Sequence, residues 1–417
     1  MKHKHHIKAK AILLVQLLFI GAFGAAWAAL SPTQRQQMQA EIRGVPPLTD
    51  VPFVNRNPAV VTPLYDEPQV VSDEQLLQVL TKVLPHFSRE RLKPNFVEHA
   101  LRIWGSEVTF DDPQVLSGPE MTEFLLDSGR YAASWGDAAT PVLEANDGGV
   151  HVRWGIDTTT SVHHDHMLAC LAEAGVGLDR PVFTTARRTN LQQILSEALR
   201  DLRPDERETE WSVMGFVLYL MPQQTTSWHN SEGRRITLDM LADRLMRGHR
   251  KKGVCLGTHR IYSLMAMLRL DDEFGGSQTL SPATRSSILH FLSGARDLMI
   301  ASQEADGSWP PNWYDGDRAA EKSDPSEPFY RRVIATGHHL EWLAIAPREL
   351  HPPQDVIRRA AEWMIRNTLE TSQDVIAANY TYYSHAGNAL ALWRGTSPSE
   401  FWKKSHEVSA NPSGQSD

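Results

Sequence analysis

The chain has 417 residues, 41% of them hydrophobic and 22% charged, with a formal net charge of -8. That composition belongs to a globular protein with a sizeable core and excludes extended disorder; with a net negative charge, the chain also lacks the overall positive field that nucleic acid requires. Two cysteines, Cys170 and Cys255, are too few for a disulfide framework.

The N-terminus reads MKHKHHIKAK, then an apolar AILLVQLLFIGAFG, then Ala26-Trp27-Ala28 with small residues where a signal peptidase reads. This predicts a secretory signal over residues 1–28, export to the periplasm or beyond, and no stable membrane insertion after cleavage. Residues 29–70, rich in Pro, Gln and Val without periodicity, predict an extended arm able to wrap the domain. From 71 to 400 the apolar spacing is helical, and 401–417 read as a polar, disordered tail.

The helical segments come in two kinds. Charged amphipathic stretches lie at 72–84, 118–129, 189–202, 237–248, 283–302 and 355–370. Between them fall nearly apolar stretches with polar heads: NFVEHALRIWG, SVHHDHMLACLAEAG, TEWSVMGFVLYL, GTHRIYSLMAMLRL, TGHHLEWLAIA and YSHAGNALALW. The last five align at His163, Trp211, His259, His338 and His385, each with an apolar residue five positions on: Leu168, Phe216, Leu264, Leu343 and Leu390. A repeat of roughly fifty residues, each holding one amphipathic and one apolar helix, predicts an all-α fold. Six such pairs make an α6/α6 toroid, a double ring of helical hairpins whose inner helix heads converge on one mouth. Two interruptions stand out. Residues 137–158, with Asp147-Gly148-Gly149, predict a small β-hairpin insertion, and a long loop between His259 and His338 carries Trp309, Trp313, Tyr314 and Asp315 over the mouth.

Chemistry-bearing residues gather at the heads. His338 followed by Glu341 places an imidazole and a carboxylate on one helix face, the pair a proton shuttle needs. Glu210 beside Trp211 is a carboxylate whose neutral form desolvation favours, suited to a general acid. His259 completes the catalytic set. Cys255 and His259 stand four apart, and with His163 they are the metal candidates, so the expected cofactor is none or a single zinc; Cys170, between Leu168 and Leu171, reads as a core thiol. Substrate contacts are expected from His163, His166, Trp211, Trp309, Trp313, Asp315, Tyr383 and His385, with Asn388 on the rim.

Two resemblances follow from these motifs. QEADGSW, with Gln303, Asp306, Gly307, Ser308 and Trp309, resembles the Gln-x-x-Asp-Gly-x-Trp repeat of terpenoid cyclases and protein prenyltransferases, in which it joins an outer helix to an inner one. The resemblance implies the toroid. LDDEFG at 270–275 lies at a helix end instead of forming an acidic cyclase motif, and Gly253 stands two before Cys255 where a prenyltransferase has its zinc-binding Asp. TGHHLEW is similar to a segment of the N-acylglucosamine 2-epimerase superfamily, also α6/α6, which implies His338 as acid/base with Glu341 beside it.

Three readings remain open. The first is an exported enzyme using His/Glu acid–base chemistry on a carbohydrate, with epimerase, hydrolase and lyase unresolved. The second is terpenoid cyclase-like or prenyltransferase-like lipid chemistry, and the third a non-catalytic envelope binding protein. The expected partner is a small molecule or glycan and not nucleic acid; no Gly-rich loop suggests a nucleotide.

Overall fold

The computed structural model describes residues 2–30, 35, 38, 51–247, 253–274, 279–324 and 326–410. Helices dominate. The apolar leader forms α1 (Lys2–Ala29), and no helix among the described residues is long and apolar enough to cross a membrane. The rest follows the paired pattern. Helix α2 (Asp73–Lys82) precedes α3 (Pro94–Trp104), and α4 (Gly118–Leu126) with α5 (Ser128–Trp135) precede α6 (His166–Glu173). Then α7 (Gln192–Asp201) precedes α8 (Glu210–Leu220), α9 (Leu238–Arg247) precedes α10 (Thr258–Phe274), and α11 (Pro282–Ser302) precedes α12 (Tyr330–Ala344). Finally α13 (Gln354–Glu370) and the short α14 (Gln373–Ala378) precede α15 (Tyr380–Trp393), and α16 (Pro398–Ala410) follows.

Burial separates the two kinds of helix. Every residue of α8 is buried, as expected of a helix apolar all round. In α2 only Leu76, Val79 and Leu80 are buried, the one-sided stripe of an amphipathic helix, and Ser72 with Gln75 closes a capping box at its start. The apolar helices pack in sequence: α3 on α6, α6 on α8, α8 on α10, α10 on α12, α12 on α15, and α15 back on α3. The charged helices back them, with α4 against α3, α7 against α8, α9 and α11 against α10, α13 against α12, and α2 against α15.

The contact between α12 and α15 is set by a glycine. A Cβ on Gly337 would stand 2.8 Å from the Cβ of His385, so only glycine lets the two backbones approach this closely.

The arm crosses the C-terminal ends of the apolar helices in chain order. Leu178, just past α6, donates its N–H to the Arg56 carbonyl at 2.7 Å; Ala59 donates to Leu218 at 2.7 Å, Leu64 to Ala344 at 3.2 Å and Glu67 to Trp393 at 2.8 Å. The Arg269 guanidinium of α10 bridges the carbonyls of Thr62 and Ile345. Through Ala59, Leu64 and Glu67 the arm supplies donors to carbonyls that a helix end leaves without partners, and at Arg56 and Thr62 it accepts in turn. Its portion within 39–50 lies outside the described residues.

The expected hairpin is present as β1 (Leu143–Asn146) and β2 (Gly149–Val152), turning through Asp147-Gly148. Two further hairpins were not foreseen, β3 (Pro181–Phe183) with β4 (Arg188–Asn190) and β5 (Ser227–His229) with β6 (Arg235–Thr237). The tail expected to be disordered from 401 is instead helical to Ala410. Ser397 and Glu400 bond reciprocally at its start, and Trp402 packs edge-on against Trp104, ring centroids 5.7 Å apart. Residues 411–417 lie outside the described residues.

Candidate functional site

The six apolar helices each send one ring to a common axial layer. His99, His166, Trp211, His259, His338 and His385 form a closed circuit of ring contacts. The centroid separations around it are 4.7, 4.3, 4.0, 4.3 and 3.8 Å, and 5.7 Å from His385 back to His99. All six are buried. Trp211 and His259 sit at helix starts, and His166 opens its helix because Asp165 before it adopts a left-handed backbone, φ 56°. His99, His338 and His385 lie inside their helices and reach the same level because those helices begin earlier.

Burial makes this layer a set of neutral imidazoles. Desolvation lowers His99, His166 and His259 well below the usual histidine range, with neighbouring charges adding to it. Burial and then His385 bring His338 down to about 3. Neutral imidazoles offer a lone pair on one nitrogen and a proton on the other. Nδ1 of His338 lies 2.9 Å from Glu341 Oε2, so it carries the proton and donates it, while Nε2 has no partner among the described residues. Nε2 of His259, Nε2 of His166 and Nε1 of Trp211 are likewise buried without a partner. His166 bonds Glu98 through Nδ1, and burial pushes the Glu98 carboxyl up to about 8.

One helical turn further on lies a charged layer. Arg102 donates through Nε to Glu173 at 2.7 Å and through Nη1 to Glu341 at 3.3 Å, and Asn388 donates to Glu341 at 2.7 Å. His385 Nδ1 stands 3.1 Å from both Glu341 Oε1 and Arg102 Nη1. Burial alone would raise the Glu341 carboxyl, but Arg102 and then His385 hold it well below the usual carboxylate range. Tyr262 donates its hydroxyl to Glu173 at 3.1 Å. Arg102, Glu173, Tyr262 and Asn388 form part of the wall of a chamber of about 550 Å³, bordered by Ala59–Pro63 of the arm.

On the other side of the imidazoles lies Cys255. Cys255 and Leu256 both adopt positive φ in the tight turn that opens α10. The residue keeps some exposure while its sulfur is desolvated, which pushes the thiol up to about 12. Ligand atoms of Cys255, His259 and His338 lie within 4.8 Å of one another, as do those of His338, Glu341 and His385.

The structure therefore brings together His338, Glu341, His259, His166, Trp211, His385 and Cys255. It separates others. Glu210 accepts from Arg260 Nε at 2.7 Å and from the Thr209 N–H at 2.9 Å, so it has a structural anion's partners and not a free acid's. His163 leaves the axial layer to pair with Glu208 at 2.7 Å, which takes it out of the metal cluster. Trp309 is wholly buried and donates to the Met299 carbonyl at 2.9 Å, and Trp313 is buried with its indole on the Leu256 carbonyl at 3.2 Å. These indoles fasten the loop against His339 and present no open platform. Asp315 pairs with Lys322 at 2.6 Å, and Tyr383 bonds Thr371. Cys170 is a core thiol.

Sequence reasoning missed Glu98, His99, Arg102, Glu173 and Tyr262. NFVEHALRIWG belongs to the same set of apolar helices, and superposing its histidine on the other five anchors finds His99. No family model, curated protein or solved structure matches the chain.

Proposed function

We propose that this protein is an exported enzyme built as an α6/α6 toroid, acting by acid–base chemistry on a carbohydrate at the axial cluster. The closed packing order of the six apolar helices, each backed by a charged one, supports the architecture. One observation carries the chemistry. His338 is held in a single tautomer by an anionic Glu341, with the Nε2 lone pair left without a partner among the described residues, which is the orientation a carboxylate-steered imidazole needs to accept a proton or a hydrogen bond.

The neighbouring chamber favours a sugar over an isoprenoid. About 550 Å³ suits a small saccharide, and Arg102, Glu173, Tyr262 and Asn388 give its wall polar groups that match hydroxyls better than a hydrocarbon. Arg102 and Asn388 also bond Glu341, linking the chamber wall to the His338 pair. A second reading, a non-catalytic glycan-binding protein, draws support from the near-complete burial of the imidazole layer. A panel of oligosaccharides with product analysis separates the two. The enzyme reading expects turnover that falls ~10²–10⁴-fold in His338→Ala. Binding without turnover across the panel, by folded wild-type protein, would sink it.

A further inference from the structure

We propose that Cys255, His259 and His338 form a binding site for one transition-metal cation of the zinc class. Three observations converge on it. The ligand atoms of the three residues lie within 4.8 Å of one another. Both histidines are buried with Nε2 unpartnered among the described residues, a state that otherwise leaves two desolvated polar atoms uncompensated. And Glu341 accepts the other nitrogen of His338 at 2.9 Å, the outer carboxylate that orients a ligating imidazole and raises its basicity.

One thiolate and two imidazoles are the donor set of a borderline-soft divalent ion, and three protein ligands leave a fourth position for water or substrate. Tetrahedral ligation brings such atoms to roughly 3.3–3.8 Å of each other, so the site closes by about 1 Å on binding. Cys255 is the ligand with room to move, since it sits in a turn and retains exposure.

The second cluster, His338 with Glu341 and His385, is a poorer cation site. Arg102, wholly buried, stands 3.3 Å from Glu341 and 3.1 Å from His385 Nδ1, and its charge opposes a second cation there.

The inference rests on the axial cluster being the reacting centre and deepens that reading. With an ion bound, His338 would serve through Nε2 as a metal ligand and not as a free base, and the ion would supply the proton-transfer chemistry through a water in its fourth position.

The test is cobalt(II) titration of the chelator-dialysed chain, followed in the near ultraviolet where thiolate–cobalt charge transfer absorbs, with zinc as competitor. The expected result is one equivalent bound and a band that zinc displaces. The band should vanish in Cys255→Ser and His259→Ala and persist in Cys170→Ala. Glu341→Gln should weaken the affinity ~10–100-fold. No stoichiometric binding by the folded chain, or binding unchanged in Cys255→Ser, would overturn the site. If His259→Ala fails to fold, Cys255→Ser in the partly exposed turn still decides. Stoichiometry is read without activity, so a chain that binds the ion yet turns over no glycan keeps this site and loses the carbohydrate reading. Glycan turnover by the metal-free chain overturns the ion's part in the chemistry.

Discussion

Nδ1 of His338 and Oε2 of Glu341 meet at 2.9 Å inside the molecule, with neither side chain reaching solvent. Glu341 is the hub of the axial polar network, since Arg102, His385 and Asn388 converge on the same carboxylate. The consequences of disturbing this hub are specific.

Glu341→Gln keeps the shape but removes one of the two carboxylates paired with Arg102, the one that also orients His338. Leaving a buried charge short of its partner costs about 3–5 kcal/mol. Urea unfolding should register that loss. Combining it with Arg102→Met should cost less than the sum of the two, because the pair is removed together.

Gly337→Ala places a Cβ 2.8 Å from that of His385. The two helices must separate or shift, at about 1–3 kcal/mol. A lowered melting temperature with a weakened His338–His385 contact in a crystal structure is the expected outcome.

Glu98 gives the fold a pH dependence of known sign. Its carboxyl is raised to about 8 by burial, against an unfolded value near 4.5, so between those values the folded chain holds a proton that the unfolded chain has released. Stability therefore falls as pH rises through that window and levels off above it. His99 and His166, lowered by burial, act oppositely and take stability away as pH drops below about 6.5. Melting curves from pH 6.5 to 8 should decline less steeply in Glu98→Gln than in wild type.

Ala59→Pro removes the N–H that meets the Leu218 carbonyl at 2.7 Å. The arm should loosen over the end of α8 at a cost of about 1–3 kcal/mol. Hydrogen exchange across 59–67 should speed up in the variant.

The twelve paired helices were legible because their apolar periodicity is strong, and the hairpin at 143–152 because Asp147-Gly148 marks a two-residue turn. The hairpins at 181–190 and 227–237 escaped because strands of three residues give alternation too little length. The axial residues were legible at Trp211, His259, His338 and His385, because each heads an apolar run of sequence whether or not the helix itself begins there. In the first repeat the sequence alignment chose His163, one turn too early, since the left-handed Asp165 that delays the helix carries no sequence mark. Arg102 escaped for another reason. An arginine on a helix ordinarily reads as a solvent-facing charge, and the partners that bury it, Glu173 and Glu341, lie 71 and 239 residues away in the chain.

The most direct measurement is the nitrogen-15 spectrum of histidine-labelled protein, which reports the protonation of each ring nitrogen. The account predicts that His338 is neutral at pH 7 with its proton on Nδ1 and that Glu341→Gln disturbs this signal. A charged His338, or a proton resident on Nε2, would contradict the claim that the axial cluster holds a neutral imidazole with its Nε2 lone pair available.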